Sequence, residues 1–241
     1  MESIRSSLEA TRAVLHRVAA HVLARRRWEV SGRFGLRVTP GGISTPLFGT
    51  DGECIRTSGT VLVREIGAVA RLTPISGATL RELATFVDAD IEAPFTCGLE
   101  GPETGDPDRP LYIAAEHAQA IATWYQLGWM VLDNVLGRLP GSAEAATLQL
   151  WPEHFDIGTN VALLNGDGVN LGCSPGDQYV TEPYLYVGPW GAARPGDPTY
   201  WNVSFGAALL MSEVMASADA VDRGVKFMNL GLGALSQVAD K

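Results

Sequence analysis

The chain is poor in cysteine, in charge and in recognisable catalytic fingerprints, and each shortage excludes something. Three cysteines among 241 residues, Cys54, Cys97 and Cys173, are odd in number and far apart. No C-x-x-C occurs, so neither a structural zinc knuckle nor a thioredoxin-like pair is indicated, and scattered thiols fit a reducing cytoplasm. No apolar run reaches 18 residues, and the charged, amphipathic start lacks the apolar core of a signal peptide. We therefore expect a cytoplasmic protein with no membrane partner. There is no G-x-G-x-x-G after a strand, no phosphate-binding P-loop, no G-x-S-x-G and no H-E-x-x-H. Charged residues make up only 19%, and acids outnumber bases to give a formal net charge of −9. An acidic chain repels phosphate backbones, so nucleic acid is a poor partner. The basic cluster Arg25-Arg26-Arg27 reads as a favourable contact with a helix C-terminus.

What is present is an ordinary globular composition, 46% apolar, enough for a full core in one large or two small domains. Ser3 to Arg27 has helical spacing, with Ile4, Leu8, Leu15, Val18 and Val22 on one face and His16 and His21 off its centre, on the solvent side or at the boundary. From Trp28 to Thr73 the period shortens to β-branched runs separated by Gly-containing turns, as in antiparallel strands. Thr79 to Asp88 reads as a short helix. The Pro/Gly/acid-rich stretch over 92–110 has no periodicity and reads as a linker between a half at 1–91 and a half at 111–241. Ala114 to Leu139 is a second long helix with Ile121, Trp124, Tyr125, Val131, Leu132 and Val135 on its buried face. Gly128 at the centre of that face implies a close backbone neighbour, and His117 faces the same way. Leu148 to Trp190 returns to strands, and Phe205 to Ala216 and Ala218 to Val238 read as helices. The class is α+β, antiparallel sheet backed by long helices. The order helix, strands, helix occurs twice, which suggests a degenerate internal duplication.

The segment from Gln149 to Gly206 mixes aromatics with acids. It holds three of the six Trp and four of the six Tyr. If a strand runs from His154, the two-residue side-chain period puts His154 and Asp156 on one face. An imidazole and a carboxylate so placed suit a metal or an acid/base pair. Glu182 is the first candidate for a third polar group, sharing a face with Tyr184 and Tyr186 if its strand begins there. Asp177 is the second, unless it only holds the turn Ser174-Pro175-Gly176-Asp177. Glu153, Trp151, Tyr184, Tyr186, Trp190 and Trp201 would be walls for a sugar, a cation or a planar metabolite. The Pro/Gly loop between Trp190 and Trp201 would be a lid. Cys173 with His154 as base is a further nucleophile reading.

The blocks LQLWPEHFDIGTN, NLGCSPGD, EPYLYVGPW and YWNVSFGA, with TPGGISTP in the first half, resemble an actinobacterial family of uncharacterised soluble proteins. The likeness spans most of the chain. It implies where a site lies, names no activity and carries over no catalytic residue. Three readings stay open: a small-molecule enzyme using His154, Asp156 and Glu182, a non-catalytic binding or assembly protein using the same aromatics, and a purely structural block. Composition and spacing leave any metal, cofactor, substrate and oligomeric state unassigned.

Overall fold

The computed structural model describes residues 7–98, 101–139, 144–163 and 166–236. Two antiparallel sheets with helices make the fold α+β. Two compact units divide the chain, one of residues 1–123 with 150–155, the other of 124–149 with 156–241. No helix among the described residues is long and apolar enough to cross a membrane.

In the first unit, Ser7 caps α1 (Leu8–Val18) by accepting from the Ala10 amide at 3.1 Å. α1 runs into a π-helical stretch, Ala19–Ala24, and then into α2 (Arg25–Ser31), which stops at Gly32 in the left-handed region. All six residues of the π stretch are buried. His21 is therefore an interior residue, not a solvent-side one, because the wider turn breaks the 100° period on which the outward placement rested. His16 is half-buried, stacked on Phe155 with ring centroids 5.1 Å apart, and its Nε2 lies 2.9 Å from the Pro152 carbonyl.

Five strands follow in chain order as an antiparallel meander: β1 (Arg37–Thr39), β2 (Gly42–Ser44), β3 (Glu53–Ser58), β4 (Val61–Ile66) and β5 (Val69–Pro74). α3 (Leu80–Phe86) begins in a reciprocal Thr79/Glu82 capping box. The segment expected to link two halves belongs, in its described residues, to this unit. A row of basic side chains one turn apart fastens it and the residues before it. Arg17 donates to the Thr104 and Asp106 carbonyls. His21 reaches the Pro102 carbonyl at 2.7 Å, and Arg25 donates to those of Asp90 and Ala93 at 2.7 and 2.6 Å. Arg26 pairs with Glu53, itself paired with Arg64 at 2.8 Å. Arg27 donates to the Gly35 carbonyl. The basic triplet is thus spent on named oxygens of neighbouring segments rather than on a helix terminus.

In the second unit the strands order as β11-β10-β9-β8-β6, all antiparallel: β6 (Glu144–Ala145), β8 (Asp156–Ala162), β9 (Gly168–Ser174), β10 (Tyr184–Pro189) and β11 (Ala207–Leu210). The remaining strand, β7 (Gln149–Trp151), bridges Leu36 through Leu150 in the first unit. Residues 140–143, between the second long helix and the strands, lie outside the described residues. The helix expected over 205–216 is instead β11 followed by the short α5 (Met211–Met215). Ala-Ala-Leu-Leu favours helix locally, but pairing with Tyr184–Val187 satisfies the same backbone groups and wins. α6 (Ala220–Ser236) closes the described chain.

The second half of α4 (Ala115–Leu136) and α6 lie on the apolar face of this sheet. Their approach is set by glycine. A Cβ on Gly128 would stand 2.3 Å from the Cys173 sulfur and 2.5 Å from its Cβ, and one on Gly224 would stand 2.7 Å from Val131 and 2.8 Å from Leu185. Trp124, 2% exposed, donates its Nε1 to the Ser174 carbonyl at 2.7 Å.

Two outcomes follow. Gly128→Ala loses about 1–3 kcal/mol through overpacking, and pairing it with Cys173→Gly costs less than the sum of the two single changes, read from a urea double-mutant cycle. The second concerns acid. Burial lowers the His16 pKa from 6.5 to about 4, with the Pro152 carbonyl opposing. Between those values the unfolded chain binds more protons, so the stability His16 confers is full above pH 6.5 and drains as pH falls toward 4. Urea midpoints from pH 7 to pH 4 fall less steeply in His16→Gln than in the parent.

Candidate functional site

The site is built by the pleat of the second sheet. Along β8, Ile157, Thr159 and Val161 turn to one face and Asp156, Gly158 and Asn160 to the other. Along β9, Val169, Leu171 and Cys173 oppose Gly168, Asn170, Gly172 and Ser174. Along β10 and just past it, Leu185 and Val187 oppose Tyr184, Tyr186, Gly188 and Trp190. The register carries this across strands. Ile157, Cys173, Leu185 and Leu209 form one transverse row, and Gly158, Gly172, Tyr186 and Ala208 form the next on the opposite face. One face is therefore apolar core. The other holds a carboxylate, two amides, a hydroxyl and three aromatic rings over a glycine floor.

Glycine is required at that floor. A Cβ on Gly172 would stand 2.3–2.5 Å from the Tyr186 ring and hydroxyl, and one on Gly168 would stand 2.4–2.6 Å from the Trp190 indole. Both rings lie flat across β9 because nothing projects beneath them. Their edges are tied as well. The Tyr186 hydroxyl donates to Asp156 at 2.5 Å, and the Trp190 Nε1 donates to Asn170 Oδ1 at 2.5 Å. Tyr184 donates to Asp177 at 2.5 Å. Phe205 sits among Tyr179, Tyr184 and Tyr186, with centroids 6.0–6.4 Å away. Burial first, and the neighbouring carboxylates second, push the Tyr184 and Tyr186 phenols well above their usual range, so both stay protonated donors. Beside these rings a concavity of about 530 Å³ is lined by Asn170, Tyr186, Gly188, Trp190, Arg194 and Phe205 among others.

The residues anticipated from sequence fall into two sets. Asp156, Asp177, Tyr184, Tyr186 and Trp190 are brought together by the second sheet. Asp177 also holds its turn, since its Oδ1 accepts from the Tyr179 and Val180 amides at 2.7 and 2.9 Å. Trp201 stands aside. Its Nε1 donates to the Pro195 carbonyl at 2.8 Å, and Arg194 lies over its ring at 5.6 Å. Those bonds fold the loop between Trp190 and Trp201 on itself.

Glu182 does not join the face. It precedes Pro183, outside β10, and accepts from the Ser212 amide at 2.6 Å, at the start of α5. Trp151, Glu153 and His154 belong to the first unit. The strand-face argument for His154 fails on the backbone, because β8 begins only at Asp156 and Phe155 has a φ of 56°. A left-handed residue between them breaks the two-residue alternation. His154 is 47% exposed and lies 3.4 Å from the Glu153 carboxylate. Cys173 is no nucleophile: it is buried on the apolar face, and burial drives its thiol well above the ordinary value. Among the described residues no three His, Cys, Asp or Glu side chains are placed to hold a metal ion.

Asn160, Asn170, Arg194, Phe205 and the floor glycines were missed. For four of these the signal was present. DIGTNVA and GVNLGCS alternate apolar with Asp, Asn, Gly and Ser, the pattern of a strand with one face in the core and one turned to a ligand or to water. No protein-family model, no curated protein and no solved structure matches the chain.

Tyr186→Phe removes the phenolic donor from a buried carboxylate and costs about 1–3 kcal/mol. Combined with Asp156→Asn the cost is sub-additive. Urea unfolding of the two single variants and the double variant measures both values.

Proposed function

We propose that the second unit binds a small polar molecule on the polar face of its sheet. One observation carries the reading: two aromatic rings are laid flat on glycine and tied at their edges beside a concavity of about 530 Å³. A core strand gains nothing from Gly-x-Asn-x-Gly-x-Ser, whereas a preformed pocket needs fixed walls and a few oriented polar groups. The net charge of −9 disfavours phosphate-rich partners. The reading carries a cytoplasmic location with it, in keeping with three free, buried cysteines. It also accommodates membership of the actinobacterial family that the WPEHFD, SPGD and EPYLYVGPW blocks resemble. Internal duplication fits the two meanders, with the ligand face belonging to the second.

A second reading, an acid/base enzyme in the same concavity, is favoured by Tyr186, which lines the space and is bonded to Asp156. Under it, Tyr186→Phe abolishes turnover while leaving binding intact.

Thermal melting of the full chain against a library of small polar metabolites tests the main reading. A true ligand at 100 times its Kd stabilises the native state by about 2.7 kcal/mol, and the midpoint rises by several degrees. Asn170→Ala and Arg194→Ala reduce that rise. A blank library, or a rise that both variants leave unchanged, overturns the assignment.

A further inference from the structure

We propose that the molecule bound there is a neutral saccharide, stacked through one face of its ring on Trp190. The inference rests on the small-molecule reading above and names its ligand class. Trp190 is 60% exposed, yet it is not loosely held. Its underside lies on Gly168, whose absent Cβ would stand 2.4 Å from the indole. Its amide donates to the Gly168 carbonyl at 2.9 Å, and its Nε1 donates to Asn170. A large apolar ring fixed with its upper face in water is a poor use of a tryptophan unless something covers it. The covering group must be flat enough to lie on an indole and apolar on the side that does so.

The rim of the platform narrows the choice. Asn170 keeps its Oδ1 on the indole, and its Nδ2 makes no hydrogen bond among the described residues. Arg194 is aimed by the Gly191 and Ala193 carbonyls, at 2.8 and 2.9 Å. A guanidinium donates, and so does the amide nitrogen that the indole leaves over. Hydroxyl groups, each donor and acceptor at once, suit such a rim. A pyranose or furanose ring presents C–H groups on one face and hydroxyls at its edge, which matches a platform with a mixed polar rim. A flat heteroaromatic base gains most between two parallel rings, and here the lower side of the indole is taken by backbone. An anionic sugar meets a chain of net charge −9. These features select a neutral saccharide.

The test is saturation-transfer NMR and calorimetric titration of the full chain with glucose, galactose, mannose, arabinose and their neutral di- and trisaccharides. Adenosine serves as the flat heteroaromatic comparator and glucuronate as the charged one. At least one neutral saccharide binds, with saturation concentrated on the C–H protons of one ring face. Trp190→Ala weakens it about tenfold or more, and Trp190→Phe, which keeps a smaller platform, weakens it less. Thermal melting of both variants verifies that they fold. Saccharide binding that survives Trp190→Ala in a folded protein overturns the proposal. Adenosine or other library compounds binding in a Trp190-dependent way, with every saccharide silent, overturns the ligand class and leaves the small-molecule reading standing. Silence from saccharides and from the whole metabolite library removes both.

Discussion

The two-residue pleat of β8, β9 and β10 is the constraint on which the second unit depends. Because successive side chains must turn to opposite faces, one register decides both the core and the site. Ile157, Cys173 and Leu185 stand in a single row across three strands, so the row beside it, Gly158, Gly172 and Tyr186, is fixed on the other face. A slip of one residue would expose the cysteine and leucine rows and bury Asp156 and Asn170 against helices. Burial of the apolar rows, at roughly 25 cal/mol per Å², therefore also holds the tyrosines and Trp190 in place.

Glycine serves both faces for the same physical reason and to opposite ends. At Gly128 the missing Cβ lets α4 come down on the sheet at Cys173, and at Gly224 it lets α6 come down on Leu185 and on Val131 of α4. At Gly168 and Gly172 it lets aromatic rings lie down on the strand. The first pair adds contact to the core. The second seats the Tyr186 and Trp190 rings on the strand backbone beside the concavity. The Tyr186–Asp156, Tyr184–Asp177 and Trp190–Asn170 bonds then hold these rings by their polar edges. Each bond fixes orientation before any ligand arrives, and preorganisation of that kind reduces the ordering cost of binding.

Long-period patterns were legible in the sequence and local backbone departures were not. The six residues read as the buried face of α4 are all interior, since a 22-residue helix gives the 3.6 period room to declare itself. The clustering of aromatics with acids marked the segment from which Tyr184, Tyr186, Trp190, Asp156 and Asp177 come together on one sheet face or at its margin. Three failures share a cause. The π stretch at Ala19–Ala24, the left-handed Phe155 and the pairing of Ala207–Leu210 each change the local period or override local propensity, and no residue type announces them. Phe155 cost most. Extending the strand back by two residues drew His154 onto a face it does not share and built an acid/base pair on it. Asn170 escapes a reading keyed to ionisable groups, because an amide fixes an indole edge without titrating.

The same contrast bears on how the acids should be understood. Asp156 and Asp177 sit under phenols that burial keeps protonated, and Asp177 also receives two backbone amides. Carboxylates so engaged have their oxygens committed to fixed donors. Their chemistry is that of anchors. The groups at the open end of the face, Trp190, Asn170 and Arg194, are instead tied on one side and accessible on the other. Buried carboxylates fix the rings, the rings floor the concavity, and the outer amide and guanidinium meet whatever enters it. The interior acids of the sheet thus orient the rings, while Trp190, Asn170 and Arg194 are the groups left at its solvent edge.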